Sequence, residues 1–139
     1  MSSASRLVFD TSTLVGAVLK PRSTPALALT LAWEVADVIV SDDTLDELRV
    51  VLSRPRLDAY RDLADRTSFL QIYRAMTVRV PDVTPVIACR DPKDDKFLSL
   101  AVSGGAQAIV SSDDDLLSMV RFEGVVILSP RQFLEAAAT

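Results

Sequence analysis

Acidic residues follow several short apolar runs of the sequence. The clusters are "VFDTS", "VIVSDD" and "AIVSSDDD", and a fourth, "DPKDD", opens an apolar helical pattern. Carboxylates that meet in one pocket repel one another, and a bound cation relieves that repulsion. Mg²⁺ and Mn²⁺ are hard cations that prefer oxygen ligands, and they act on phosphoryl groups and on water. The clusters therefore indicate metal-assisted phosphodiester hydrolysis.

The residue types that the chain lacks exclude several classes of enzyme and metal site. Its 139 residues include no histidine and a single cysteine, Cys89. Ser-His-Asp and Cys-His hydrolases and most zinc sites are excluded, because all of them need histidine or several thiolates. One cysteine cannot form an internal disulfide, and no apolar run approaches the length of a membrane span. Without a secretory signal pattern, the chain is expected to be cytoplasmic.

Short β-type runs alternate with helical patterns along the chain. We predict strands over residues 6–9, 37–41, 106–111 and 124–129. Two prolines make residues 78–88 a connecting or edge segment, and the helical pattern of 56–76 is expected to break near Asp65–Ser68. Val- and Ile-rich strands between helices are typical of a parallel sheet covered on both faces. The sequence thus predicts a single domain over residues 1–139, an α/β fold in which three layers form an α/β/α sandwich.

In a fold of this kind, ligands bind at the carboxyl ends of the strands. Asp10 ends the first strand and Asp113 follows the strand over 106–111. Asp94 shares a helix face with apolar residues, and Glu47 flanks the apolar stripe of the helix after the second strand. We expect these four carboxylates to converge, with Asp115 in reach.

Two questions about these acids stay open at this point. Asp95 is a rival to Asp94, and the number of metal ions is either one or two. Each acid taken alone also has an ordinary explanation, because carboxylates after strands commonly cap the next helix. The joint placement of all the clusters at one edge of the sheet favours a metal site.

Four stretches of the sequence resemble the PIN-domain ribonucleases, in particular toxin components of prokaryotic toxin–antitoxin systems. They are "LVFDTSTLVGAVL", "SDDTLDELRVVLSRP", "CRDPKDDKFLSLAVSGGAQAIVSSDDDLL" and "VVILSPRQFL", and they span nearly the whole chain. The resemblance implies an endoribonuclease that depends on Mg²⁺ or Mn²⁺ and leaves 5′-phosphate and 3′-hydroxyl ends.

The same resemblance implies roles for individual residues. Asp10, Asp94 and Asp113 would hold the metal, with Asp115 as a frequent further acid. Glu47 would position or deprotonate the attacking water. The hydroxyl side chains that would support the site are Ser12 and Ser111.

The resemblance also implies partners. These are an RNA substrate, a cognate antitoxin that blocks or fills the acidic pocket, and a second copy of the chain in a homodimer or higher oligomer, with no membrane. Basic side chains in loops are expected to bind RNA phosphates, which adds affinity without sequence choice. These are Lys20, Arg22, Arg54 and Arg56.

Two other functions are compatible with the pattern. One is a non-catalytic PIN-like module that binds RNA or a protein. The other is a Mg²⁺-dependent phosphoryl-transfer domain of the response-regulator or dehalogenase type. The second fits less well, because "VILSPR" lacks a lysine after the last strand and Ser12 stands where a dehalogenase-type phosphatase has an acid.

Overall fold

The computed structural model describes residues 5–138. The strands are β1 (Arg6–Phe9), β2 (Asp37–Val40), β3 (Val78–Arg79), β4 (Ala108–Val110), β5 (Arg121–Phe122) and β6 (Val125–Leu128). The helices are α1 (Thr11–Leu19), α2 (Thr24–Val35), α3 (Asp42–Leu52), α4 (Leu63–Met76), α5 (Asp95–Ser103), α6 (Asp114–Leu117) and α7 (Pro130–Ala137). Two 3₁₀ turns cover Pro55–Ala59 and Pro92–Asp94. Within residues 5–138, no helix combines the length and the apolar character that crossing a bilayer requires.

The six strands form one sheet in the order β3-β2-β1-β4-β6-β5. Every neighbouring pair is parallel except β5 and β6, which are antiparallel. The chain lays β2 and β3 on one side of β1 and then returns to lay β4 on the other side. The carboxyl ends of β1 and β4 therefore flank the point at which the strand order reverses, where doubly wound sheets bind ligands.

Alternating side chains of the strands pack into two separate hydrophobic cores, one on each face of the sheet. Leu7 and Phe9 of β1 pack into the core beneath α1, α2, α3, α4 and α7, whereas Val8 packs into the core beneath α5 and α6. In β4 the same alternation sends Val110 to the first core and Ile109 to the second. Both faces of the sheet are thus covered by helices, and the predicted α/β/α layering is confirmed.

The predicted break in the 56–76 region is misplaced. α4 runs without interruption from Leu63 to Met76, and the break lies earlier, at residues 60–62 after the first 3₁₀ turn. The polar side chains of Asp65 and Ser68, which suggested the break, lie on the exposed face of α4. A polar stretch on the solvent side of a helix was therefore mistaken for a helix end.

The short strand β5 is absent from the sequence-based prediction. It pairs with β6 through a two-residue turn at Glu123 and Gly124, whose φ angles are 46° and 83°. A two-residue hairpin turn of type I′ needs positive φ at both central positions, and "EG" is a weaker signal for such a turn than "NG" or "DG". Residues 78–79 form the edge strand β3, which agrees with the expected connecting or edge segment.

A buried arginine joins α4 to the end of α3. The side chain of Arg66 is fully buried, and its guanidinium donates to the backbone carbonyls of Leu52 at 2.6 Å, Arg54 at 3.2 Å and Arg61 at 3.0 Å. It also pairs with the carboxylate of Asp58 in the 3₁₀ turn. A buried guanidinium with this many acceptors fixes the path of the chain between α3 and α4.

We expect Arg66→Met to lower the free energy of unfolding by about 3 kcal/mol, because it leaves buried carbonyls without donors and Asp58 without its partner. Urea denaturation measures this change. Arg49→Met is the matched control, since Arg49 makes an exposed ion pair with Asp46 and should cost less than about 1 kcal/mol. Equal losses for the two variants would contradict the role assigned to Arg66.

Candidate metal and nuclease site

A cavity of about 370 Å³ opens at the carboxyl edge of the sheet. It receives carboxylates from the end of β1, from α3, from the 3₁₀ turn before α5 and from the loop after β4. These carboxylates are Asp10, Glu47, Asp94 and Asp113, the four that the sequence predicted to converge. Asp91, Thr11 and Ser12 line the same space.

Asp10 is buried at the floor of the cavity and is also the N-cap of α1. Its carboxylate accepts hydrogen bonds from the Thr13 backbone N–H at 3.0 Å and from the Ser111 hydroxyl at 2.5 Å. The Ser12 hydroxyl lies 3.3 Å from the same group. Burial raises the pKa of Asp10, and the hydrogen bonds from Ser111, Thr13 and Ser12 only partly oppose this rise. Capping and a place in the cavity are therefore combined in one residue.

Ser111 connects the two strand ends that flank the cavity. While its hydroxyl donates to Asp10 beyond β1, its oxygen accepts the backbone N–H of Asp113 beyond β4 at 2.9 Å. Asp113 in turn caps α6 by accepting from the Leu116 backbone N–H at 3.1 Å. This chain of bonds fixes Asp10 and Asp113 on opposite sides of the point where the strand order reverses.

Three carboxylates at the cavity mouth are close enough to share a cation. Oxygen atoms of Asp94, Asp113 and Asp115 all lie within 4.8 Å of one another. Burial and the neighbouring charge of Asp113 raise the pKa of Asp94 to about 7. Asp10 lines the same cavity but is not a member of this close group. A set of oxygen donors with this repulsion fits a hard divalent cation.

The geometry favours Asp94 over its rival Asp95 as the cavity carboxylate. Asp95 points away and accepts the backbone N–H groups of Ala88 at 3.1 Å and Cys89 at 2.7 Å. These bonds lower the pKa of Asp95, whereas the pKa of Asp94 is raised. Asp95 thus holds the segment before the site in place, and Asp94 faces the other carboxylates.

Both oxygens of the Glu47 carboxylate are held by residues that sequence reasoning missed. The Lys96 ammonium lies 2.8 Å from Oε1, and the Thr11 hydroxyl donates to Oε2. The Lys96 and Glu47 side chains are only 27% and 23% exposed, so water screens this ion pair less than a surface pair. Lys96 is the second of two lysines in "DPKDDKF", and its place at the start of a helix that carried a predicted ligand was a signal in the sequence that it lies near the site.

The predicted RNA-binding cations fall into two groups. Arg54 and Arg56 line the cavity, together with Lys93, which the sequence analysis did not single out. Lys20 and Arg22 do not line it, because they follow the far end of α1. Nine residues of α-helix put that end about 14 Å from Asp10. Closeness in sequence therefore does not bring Lys20 into the cavity, because a helix separates it from Asp10.

The sequence matches one protein family and one curated protein. A family model described as PIN domain matches residues 6–115. A curated relative, the uncharacterized protein MJ1680 of Methanocaldococcus jannaschii, is 28% identical over 116 residues, which cover 82% of this chain and 74% of that protein.

Solved structures share the fold at low sequence identity. A chain of VapBC2 from Rickettsia felis, solved bound to a DNA fragment from the promoter, has a TM-score of 0.63 at 14% identity and covers 89% of this chain and 98% of its own. PAE2754 from Pyrobaculum aerophilum has a TM-score of 0.63 at 15% identity, with 99% and 100% covered. VapC20 of Mycobacterium tuberculosis, described as a sarcin-ricin loop cleaving toxin, has a TM-score of 0.56 at 17% identity, with 86% and 98% covered.

The raised pKa of Asp94 predicts how the stability of the metal-free protein depends on pH. The folded state binds this proton more tightly than the unfolded state, whose ordinary pKa is 3.8. The contribution of Asp94 to the free energy of unfolding is therefore fully present below about pH 4 and is lost as the pH rises through 7. In chelator, Asp94→Asn should reduce the loss of stability between about pH 5 and pH 8 by about 1 kcal/mol, since solvent screens this partly exposed group.

Asp95→Asn is the matched control for this measurement by urea denaturation. Asp95 has a lowered pKa and is ionised at both pH values, so its replacement should destabilise the protein to a similar extent at each. If the stability of Asp94→Asn depended on pH as strongly as that of the wild type, repulsion at Asp94 would not be the source of the pH dependence.

Proposed function

Because the chain belongs to the PIN-domain family, we propose that it is a ribonuclease that depends on Mg²⁺ or Mn²⁺ and hydrolyses RNA phosphodiester bonds. The observation that carries this proposal is the close group of Asp94, Asp113 and Asp115 at the mouth of a cavity that also contains Asp10 and Glu47. Burial and the neighbouring charge of Asp113 raise the pKa of Asp94 to about 7. A cation bound among these carboxylates would relieve their mutual repulsion.

The donor set fits such a cation. Asp94, Asp113 and Asp115 offer only oxygen, and the cavity floor adds the buried carboxylate of Asp10. Oxygen donors without histidine suit Mg²⁺ or Mn²⁺ better than zinc. When bound there, the cation would supply positive charge that stabilises the phosphoryl oxygens and would favour deprotonation of water.

The side chains around this group divide the remaining tasks. Glu47 orients the attacking water and accepts its proton, while Thr11 and Lys96 fix the carboxylate of Glu47 in the cavity. Arg54 and Arg56 bind backbone phosphates at the cavity wall. The water oxygen bonds to phosphorus as the bond from phosphorus to the 3′ oxygen breaks, and the departing 3′ oxygen takes up a proton from solvent, which leaves a 5′-phosphate and a 3′-hydroxyl.

The biological role that we propose is that of a cytoplasmic toxin component of a toxin–antitoxin system. Its support is the shared fold with VapC20, described as a toxin, and with a chain of VapBC2. A toxin of this type would act as a homodimer or higher oligomer and would be inhibited by a cognate antitoxin over the acidic cavity. A non-catalytic binding module would bind its partner equally well without any metal-dependent cleavage.

We expect purified protein to cleave single-stranded RNA with Mg²⁺ or Mn²⁺ and not in excess chelator. Asp94→Asn and Glu47→Gln should each lower the cleavage rate by about 100-fold or more, because they remove a ligand and the proton acceptor. Glu34→Gln makes the same chemical change on an exposed position of α2 and should keep full activity. Metal-independent cleavage, or full activity in both site variants, would refute the proposal.

Metal binding can be measured separately from cleavage by thermal unfolding. Mn²⁺ at about 100 times its dissociation constant should stabilise the wild type by about 2.7 kcal/mol, because a ligand bound only to the folded state adds to its stability. Asp113→Asn should lose most of this gain. Equal stabilisation of Asp113→Asn and the wild type would show that the cation binds elsewhere.

A further inference from the structure

An irregular segment over residues 80–91, which we call the strap, joins β3 to the 3₁₀ turn that contains Asp94. Every third residue of the strap is half-buried and packs against the core beneath α5 and α6, whereas the positions between them are exposed. These half-buried residues are Val80, Val83, Val86 and Cys89. A three-residue period is that of an extended polyproline-like chain, so one edge of the strap faces the core along its length.

Three side chains of α5, spaced four residues apart on one face of the helix, hold the strap by its backbone. Each accepts N–H groups of the strap: Ser103 from Thr84 at 2.9 Å, Ser99 from Val86 at 2.9 Å, and Asp95 from Ala88 at 3.1 Å and Cys89 at 2.7 Å. Four helical residues advance about 6 Å and two extended residues advance about 7 Å. The spacing of the acceptors on α5 therefore matches the spacing of the N–H groups on the strap.

Ser99 is the middle acceptor and the most buried of the three, with 5% of the residue exposed. While its oxygen accepts the N–H of Val86, its hydroxyl donates to the backbone carbonyl of Asp95 at 2.8 Å. The hydroxyl thus joins the strap to the first turn of α5. Loss of this hydroxyl would leave the Val86 N–H without its acceptor in a part-buried position.

The strap ends at the carboxylate cavity. Asp91 lines the cavity, and the guanidinium of Arg90 lies 3.7 Å from the carboxylate of Asp115 in the close group. The 3₁₀ turn follows directly, and the Asp94 N–H donates to the Asp91 carbonyl at 3.0 Å. The position of the strap therefore determines the position of the turn that carries Asp94.

Asp94 depends on this turn more than the other cavity carboxylates do. Asp10 and Asp113 each accept a backbone N–H as the cap of a helix, and Glu47 is held by Lys96. Within residues 5–138, the side chain of Asp94 makes no such cap bond to α5. Its carboxylate is placed by the backbone of the turn, which the strap anchors on one side and α5 on the other.

We propose that Ser99 is a positioning residue of the cation site, which fastens the strap to α5 and so keeps Asp94 in the place where a divalent cation binds. The proposal rests on the cation site of the proposed function. A strap that is already fastened does not have to be ordered when the cation binds, which favours binding. Groups that orient metal ligands change metal affinity when they are lost, by about tenfold or more.

The first measurement follows the strap itself. Cys89 is the single cysteine of the chain and is half-buried in the strap, so the rate at which a maleimide labels its thiol reports release of the strap from α5. In chelator, Ser99→Ala should be labelled about tenfold faster than the wild type, because one lost hydrogen bond shifts an equilibrium constant by about that factor. Ser99→Thr keeps a hydroxyl and should restore the rate.

The second measurement is the dissociation constant of Mn²⁺ by isothermal titration calorimetry. Ser99→Ala should bind Mn²⁺ about tenfold more weakly than the wild type, and Ser99→Thr should restore the affinity. Val86→Pro removes the same hydrogen bond from the strap side, because proline has no N–H, and should weaken Mn²⁺ binding to a similar extent. This variant tests the bond even where Ser99→Ala does not fold.

The matched control is Ser23→Ala, which also removes one hydroxyl that accepts a backbone N–H. Ser23 is the N-cap of α2 and, like Lys20, follows the end of α1 remote from Asp10. Its loss costs helix stability but should leave the labelling rate and the Mn²⁺ affinity at their wild-type values. Thermal unfolding checks that every variant is folded.

Three outcomes would overturn the proposal. The first is a labelling rate of Ser99→Ala equal to that of the wild type, and the second is faster labelling with unchanged Mn²⁺ affinity. The third is an equal loss of Mn²⁺ affinity in Ser23→Ala. A wild type that binds no Mn²⁺ would refute the proposed function, and the cation site that Ser99 serves with it. A wild type that binds Mn²⁺ and cleaves RNA, beside a Ser99→Ala variant of equal affinity, would refute the role of Ser99 alone.

Discussion

The hydrogen bond from Ser111 to the buried carboxylate of Asp10 is the interaction on which the site depends. It joins the ends of β1 and β4, the two central strands between which the chain reverses its order. A carboxylate this deeply buried is costly unless donors surround it. Here the donors are a helix N-terminus and a hydroxyl that also holds the loop carrying Asp113. The same bonds that make the buried charge tolerable therefore set the distance between the two sides of the cavity.

The cavity contains carboxylates that repel one another and side chains that hold some of these carboxylates in place. Burial and the neighbouring charge of Asp113 disfavour the ionised form of Asp94, whereas the charge of Glu47 is balanced by Lys96. Two carboxylates of one cavity thus have different electrostatic surroundings. This difference arises from a single cation on the first turn of α5, Lys96, which pairs with Glu47 and holds its carboxylate in place.

Two features could be predicted from the sequence, the α/β/α layers and the convergence of four acids on one cavity. Both follow from the periodicity of strands and helices. Strand residues such as Leu7 and Val8 alternate between two cores, and acids after parallel strands must share an edge. Contacts between side chains distant in sequence have no such period. The pairing of Lys96 with Glu47 and the buried position of Arg66 depend on how helices pack, so they appear only in three dimensions.

Local signals in the sequence were ambiguous at three places. The polar face of α4 around Asp65 resembled a helix end, and the turn at Glu123 lacked the residues that usually mark hairpins. Asp94 and Asp95 were indistinguishable by type, and only the backbone donors at Ala88 and Cys89 separate their orientations.

The two outer strands of the sheet have a consequence for how copies of the chain can associate. β3 and β5 are two residues long each, so the sheet presents almost no free row of backbone donors and acceptors at either edge within residues 5–138. Short edges are poor templates for a strand from another molecule. Continuous sheets across a pair of molecules are therefore disfavoured, which leaves the helical faces and the loops as surfaces for any assembly of this chain.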